Sequence, residues 1–256
     1  MKNKIRGEFI LKFLIVGDVC GRPGREAFRK YVPELKKEHN IDVVVVNGEN
    51  IAGGRGISRK TLDEIYRAGA DIVTSGNHIW DQKEIVSFID DEPFLIRPAN
   101  YPEGAPGKGY CIYPFKAKNI GVINVSGRTF MPPMDCPFQK VDEILKEIKN
   151  QCDIILVDIH AEATSEKIAM GFYLDGKVTC VVGTHTHVQT ADNRILPKGT
   201  AYISDLGMVG PYNSSLGINV NNAIDKFITC RPVRFEMAEG PNIFSAVVLE
   251  LAEEIL

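Results

Sequence analysis

Five short β-branched runs in this chain each end in side chains that can bind a metal. "LIVGD" ends at Asp18, "VVVVNGEN" at Glu49 and Asn50, and "IVTSGNH" at Asn77 and His78; "ILVDIH" ends at His160 and "CVVGTHTH" at His185 and His187. Near-continuous apolar runs of this length are expected of strands buried on both faces, the condition of strands in a parallel sheet covered by helices. In open α/β sheets ligands bind beyond the carboxyl ends of the strands. Five such ends would therefore deliver these groups into one crevice.

The rest of the chain supports that frame. Strands are expected at 12–17, 42–47, 71–75, 109–115, 119–125, 153–159, 178–184, 200–205 and 244–251. Helical patterns lie between them: 24–39 with Phe28, Val32 and Leu35 on one face, "SRKTLDEIYRAG" opened by Ser58 and closed by Gly69, "DQKEIVSFID", "VDEILKEIKN" and, more weakly, "NNAIDKFI". This alternation predicts an α/β fold with a largely parallel sheet. The neighbouring strands 109–115 and 119–125 can pair as a hairpin, so a mixed or second sheet is expected. The Pro/Gly-rich segments 97–109 and 127–137 read as loops, and with 206–219 they are expected to shape a pocket. No repeat or composition break divides the 256 residues, which points to one domain.

Composition excludes several classes of function. A net charge of −3 offers no footprint for wrapping DNA, and no run approaches the ~20 apolar residues of a membrane span. The six cysteines form no C-x-x-C pair, so a structural zinc knuckle or a disulfide framework is not expected; reduced thiols in the cytoplasm are. Glu8 and Lys12 interrupt the apolar stretch near the N-terminus, which argues against a secretion signal.

Taken singly, each candidate has a simpler reading. Asp18 can cap a helix, Asn50 and Asn77 can sit in turns beside glycine, and His160 can be a hydrogen-bonded core histidine. Glu49 is harder to place so, because a carboxylate at a buried strand end needs compensation. Of five histidines, four lie at these strand ends and only His39 sits at an ordinary helix end. The extended backbone of His185-Thr186-His187 puts both rings on one side. Three imidazoles, two carboxylates and two amides form a mixed N/O set that suits Mn, Fe or Zn. Seven donors exceed what one ion needs, which leaves room for two ions bridged by a carboxylate. Paired ions about 3.5–4 Å apart serve in-line displacement at phosphorus.

Taken in order, "GDVC", "NGEN", "GNH", "DIH" and "GTHTH" resemble the metallophosphoesterase (calcineurin-like) superfamily, whose pattern runs GD-x-H, a bridging acid, GNH, a lone His and GH-x-H. Cys20 stands in place of the first His and Glu49 in place of the usual Asp. With "NGENIAGGRGIS", "SGNHIWD", "RPANYP", "DIHAEATSEK", "GTHTHVQTAD" and "DLGMVGP", the chain resembles the YmdB-like branch of bacterial phosphodiesterases. The resemblance runs from about residue 11 to the C-terminus and leaves 1–10 as an N-terminal extension of a single 11–256 domain. It implies two mixed β-sheets packed as a sandwich with helices on both outer faces, a four-layer αββα fold. It implies one ion held by Asp18, Asn50 and His187, a second by Asn77, His160 and His185, and Glu49 bridging them, with iron first and manganese or zinc as alternatives. His78 matches the family's proton donor. The implied reaction is hydrolysis of small phosphodiesters, in particular 2′,3′-cyclic nucleotides, by in-line attack of a metal-bridging hydroxide with His78 as general acid. A homo-oligomer is a further implication. Two other readings stay open: a regulatory or RNA-metabolism protein with a structural metal site, and a metal-dependent amidohydrolase.

Overall fold

A computed structural model of the chain describes residues 9–252. Its elements run β1 (Phe9–Val16), β2 (Asp18–Val19), α1 (Gly21–His39), β3 (Val43–Asn47), α2 (Arg59–Arg67), β4 (Ile72–Thr74), β5 (Tyr110–Phe115), β6 (Lys118–Ser126), α3 (Pro137–Ile148), β7 (Ile154–His160), α4 (Thr164–Leu174), β8 (Cys180–Thr184), β9 (Arg194–Ile195), β10 (Ala201–Ile203), β11 (Met208–Pro211), α5 (Val220–Thr229), β12 (Asn242–Phe244) and β13 (Ala246–Ala252). They form a four-stranded sheet β13-β1-β3-β4, a six-stranded sheet β5-β6-β7-β8-β10-β9 and a small third sheet β12-β11-β2.

Alternating side chains assign the two large sheets to four layers. From β1 and β3, Leu14, Val16, Val44 and Val46 face α1 and α2, meeting Phe28, Val32, Leu62 and Ile65. Their neighbours Phe13, Ile15, Val43 and Val45 face the second sheet and meet Ile120, Val122, Leu156 and Val182. On the far side Ile123, Val125, Val157 and Ile159 pack on Val141, Ile144 and Ile148 of α3 and on Met170 and Leu174 of α4. The expected αββα sandwich is therefore the observed fold. The expected hairpin is present as well, with Tyr110 to Phe115 antiparallel to Lys118 to Ile123.

Ser58 opens α2 as a capping box, its side chain accepting from the Thr61 N–H. Other elements differ from expectation for identifiable reasons. The helix expected over "DQKEIVSFID" is two 3₁₀ turns, Lys83–Ser87 and Ile89–Asp91. The segment is shorter than a self-supporting helix, and Pro93 forces Glu92 out of helical conformation. Helix α4 leaves no clear helical pattern in the sequence because the position one turn before Met170 and Gly171 on its buried face is Lys167. The strand expected over 244–251 breaks at Ser245, where the chain passes from the small sheet to the four-stranded one. Residues 206–219 contain β11, whose parallel partner is the two-residue β2 (Met208 with Asp18, Val209 with Val19), too short to leave a sequence pattern. Residues 1–8 of the N-terminal extension lie outside the described residues; Phe9 and Ile10 belong to β1.

The strands β1, β3 and β4 are mutually parallel, as are β6, β7, β8 and β10. Both sheets thus direct their carboxyl ends to one edge. There Gly17 crosses the chain so closely that a Cβ on it would overlap the Gly207 carbonyl oxygen. Backbone cannot yield as a side-chain end can, so Gly17→Ala is expected to cost about 3 kcal/mol of stability, read as a lower urea midpoint with an unchanged m-value.

Candidate metal centre

Asp18 opens β2, Glu49 and Asn50 follow β3, Asn77 and His78 follow β4, His160 ends β7, and His185 and His187 follow β8. The structure brings all of them to the shared edge. The Nε2 atom of His160 lies 3.1 Å from Asn77 Oδ1, 3.2 Å from Glu49 Oε1 and 3.0 Å from His185 Nδ1. One ring N–H can satisfy only one of three acceptors. Donors held about 2.1 Å from one ion at right angles lie about 3 Å apart, so this spacing fits a shared cation better than a hydrogen-bond network.

A second convergence adjoins the first. Asn50 Nδ2 is 3.0 Å from Glu49 Oε1 and 3.2 Å from His187 Nε2, and His187 Nε2 is 3.9 Å from Asp18 Oδ1. A half-turn of the Asn50 amide presents Oδ1 at the same place. Asp18 Oδ1 is fully buried without a hydrogen-bond partner, while Oδ2 accepts from the His185 N–H at 3.1 Å. Two donor triads result, Glu49/His160/His185 and Asp18/Glu49/His187, each with ligand atoms within 4.8 Å of one another, and Glu49 belongs to both. A Cβ on Gly76 would overlap Glu49 Oε2 and His160 Nε2, so only glycine leaves this hollow open. The residues present therefore fit two cations sharing a carboxylate.

The electrostatics are those of donors crowded out of water. Burial raises the Asp18 carboxyl to about 7 against the pull of His187 and His160. Burial is the largest single influence on Glu49 and would raise it, but the charge and hydrogen bond of His160 together with the charge and backbone N–H of His78 hold it at about 2. Burial is the largest single influence on His160 and would lower it, but the charge and hydrogen bond of Glu49 with the charges of Asp18 and Asp158 lift it to about 9. His185 is pushed down to about 3 by burial and by His160 beside it, so it offers a neutral lone pair. Burial opposes protonation of His187, yet Cys20 and Asp18 carry it well above its ordinary range. Burial lifts the Cys20 thiol, whose Sγ is 3.6 Å from His187 Nδ1. Cys20 belongs to neither triad.

Several supporting residues escaped the sequence reading. His160 Nδ1 meets Thr184 Oγ1 at 2.9 Å, and that hydroxyl donates to Asp158 Oδ1 at 2.8 Å. The other Asp158 oxygen accepts from Thr74 Oγ1 at 2.5 Å and from Asn47 Nδ2 at 3.3 Å. The only sequence trace of this layer is an acid inside the apolar run "IILVDI". His185 Nε2 faces Glu162 Oε2 at 3.1 Å, and His187 Nδ1 faces the Leu216 carbonyl at 3.0 Å. Such outer partners fix ring orientation at metal sites.

A cavity of about 280 Å³ opens over the donors, lined in part by Glu49, Asn50, Arg55, His78, His185 and His187. His78 Nδ1 is 3.0 Å from Asp81 Oδ2. Of the loops expected to shape a pocket, only 206–219 contributes to this lining; 97–109 and 127–137 do not. Arg55 is at the wall, whereas Arg128 is outside it, its backbone N–H on Glu166 at 3.0 Å.

The model of the YmdB-like protein family matches residues 14–255. This chain belongs to that family. It is 52% identical over 244 residues to a 2′,3′-cyclic-nucleotide 2′-phosphodiesterase of Bacillus subtilis, covering 95% of this chain and 92% of the relative. Two solved structures share the fold throughout. A hypothetical protein from Thermus thermophilus superposes with a TM-score of 0.87 at 40% identity, covering 94% and 99% of the two chains. A novel phosphatase of Mycoplasma pneumoniae gives 0.89 at 36% identity, covering 94% and 88%. Within this YmdB-like chain the Thr184 hydroxyl is the contact that turns His160. Thr184→Val is expected to weaken metal affinity roughly 10- to 100-fold with the fold retained, measured by metal titration of the apoprotein and by circular dichroism.

Proposed function

We propose that this protein is a metal-dependent phosphodiesterase that hydrolyses 2′,3′-cyclic nucleotides and related small phosphodiesters. The observation that carries the reading is the pair of donor triads sharing Glu49 beneath a cavity that His78 also lines. Family membership and the phosphodiesterase and phosphatase names of its relatives support the reaction class. Asp18, Asn50 and His187 would hold one ion and Asn77, His160 and His185 the other, with Glu49 between them. The N/O donor set suits iron or manganese, with zinc a third choice. When bound, the ions neutralise phosphate oxygens and lower the pKa of an attacking water.

The chain's own groups supply the rest. Asp81 fixes the His78 ring through Nδ1, so Nε2 is the nitrogen that meets substrate. From there it protonates the departing ribose oxygen, a general-acid contribution of typically 10²–10⁴-fold. The backbone N–H of His78 donates to Glu49 Oε2 at 3.2 Å, which ties the acid to the carboxylate shared by both triads. Residues 11–256 would act as one catalytic unit. The six cysteines are all unpaired, which supports a reducing, cytoplasmic setting. Among the described residues no helix is long and apolar enough to cross a membrane.

His78→Ala is expected to keep its metal content and to lose about 10²–10⁴-fold in kcat on 2′,3′-cyclic AMP. Bis-p-nitrophenyl phosphate, whose leaving group needs no proton, should suffer far less; equal losses on both substrates would remove the general-acid role. Chelation should abolish turnover of both substrates and lower the melting temperature, because ions that bind only the folded state stabilise it. Readdition of Mn²⁺ or Fe²⁺ should restore both. A chelated protein that melts earlier yet still cleaves both esters would assign the metals a structural part only.

A further inference from the structure

The cavity lining is of two kinds. Glu162, Arg55, His78 and Thr186 are polar, whereas Leu216, Ile218 and Met237 are apolar and close together in the fold. The apolar group adjoins His187, whose Nδ1 meets the Leu216 carbonyl at 3.0 Å.

Leu216 is an unexpected residue at its position. Ser215 and Ile218 exchange backbone hydrogen bonds of 2.8 and 3.0 Å, which makes Leu216 and Gly217 the central pair of a two-residue hairpin turn. Both have positive φ, 55° and 93°, the signature of the turn that favours Asn-Gly. A leucine there is strained by its Cβ, and the residue is 49% exposed. The carbonyl alone would serve His187 equally well from glycine or asparagine. The strain and the exposed apolar surface are therefore accounted for by what the side chain faces. Met237 pairs with Ile218 across an isolated bridge, and its side chain lies against three glycines. A Cβ on Gly54, Gly21 or Gly217 would come within 2.8, 3.1 or 3.4 Å of it. Met237 is thus held in place as a wall of the cavity.

We propose that Leu216, Ile218 and Met237 form a subsite for the nucleobase of a nucleoside 2′,3′-cyclic phosphate whose phosphate lies over the metal donors. The assignment rests on the phosphodiesterase reading above and adds which part of the substrate the enzyme holds. A volume of about 280 Å³ lies near the lower end of small-ligand sites, which suits one compact ligand. Aliphatic and thioether groups remove a base from water but carry no strong donor or acceptor to read its edge. The subsite therefore accepts purine and pyrimidine alike, and 2′,3′-cyclic AMP and 2′,3′-cyclic UMP should be turned over with kcat/KM within about tenfold of each other.

The test uses Leu216→Gly, since glycine takes the positive φ without strain and keeps the carbonyl on His187, and Met237→Ala as a second variant. The substrates are 2′,3′-cyclic AMP, 2′,3′-cyclic UMP and glycerol 1,2-cyclic phosphate, which has the cyclic diester and no base. In each variant KM for both nucleotides should rise roughly tenfold. The ratio of kcat/KM for nucleotide over glycerol cyclic phosphate should fall by the same factor, with metal content by elemental analysis preserved. A ratio unchanged in the variants while cyclic nucleotides remain good substrates would overturn the subsite. Loss of metal from Leu216→Gly would do so too, because it would confine Leu216 to orienting His187. A wild-type enzyme that cleaves bis-p-nitrophenyl phosphate but no cyclic nucleotide would remove the substrate reading itself, a result distinct from either.

Discussion

The contact of Glu49 Oε1 with His160 Nε2, 3.2 Å across the join of the two sheets, is the interaction on which the rest depends. Glu49 comes from the loop after β3 in the four-stranded sheet and His160 from the last position of β7 in the six-stranded one. Both side chains are 1% exposed or less. A buried carboxylate without compensation would be costly, and so would an imidazole nitrogen buried with no partner. Each is tolerable only because the sandwich brings both sheets to the same edge, and that in turn requires the inter-sheet core of Phe13, Ile15, Val43, Val45, Leu156 and Val182 to set the register. Site and core are therefore one construction. Moving either sheet by one residue would flip the ligand faces as well as the apolar ones.

That coupling explains what could be read in the sequence. A strand buried on both faces is a run of β-branched residues, and a polar group at its end has no apolar reason to be there. Asp18, Glu49, Asn77, His160 and His185 thus stood out, and the family pattern ordered them. Features whose partners are distant in the chain did not. Lys167 concealed α4 by placing a charge at a core position, and its reason is Asp205, 2.7 Å from Nζ and 38 residues away. Asp158 reads as an anomaly in an apolar strand until Thr74, Asn47 and Thr184 are seen around it. The 3₁₀ turns at 83–91 and the two-residue β2 failed to register because neither is long enough to impose a period.

His185, Thr186 and His187 form a turn and not the extended stretch expected from their spacing, and this turn shows how the second layer does its part. Both histidines have positive φ, 105° and 65°, a conformation that costs a residue with a Cβ about 1 kcal/mol or more. Such strain persists only where neighbours over-determine it. Here Asp205 does so: Oδ2 accepts from the Thr186 N–H at 3.1 Å and from its hydroxyl at 2.8 Å, while Oδ1 accepts from the Gly207 N–H at 2.8 Å. Lys167 balances the Asp205 charge, and its Nζ also reaches the Thr184 carbonyl at 3.4 Å. The buried Lys167–Asp205 pair thus supports the turn that carries the two imidazoles.

Cys20 gains a meaning from the same geometry. The superfamily pattern that this chain resembles has a histidine at that position, yet here the thiol lies 3.6 Å from His187 Nδ1 and belongs to neither donor triad. Its surroundings leave little room for a ring. A Cβ on Gly210 would come within 3.2 Å of Cys20 Cβ, and one on Gly217 within 3.5 Å. The small side chain at position 20 thus packs against Gly217 of the 215–218 turn, the turn that holds the Leu216 carbonyl on His187 Nδ1 and Leu216 at the cavity wall. Asn50 Nδ2 lies 3.2 Å from the other nitrogen of the same ring, Nε2, so the His187 imidazole is contacted at both ends.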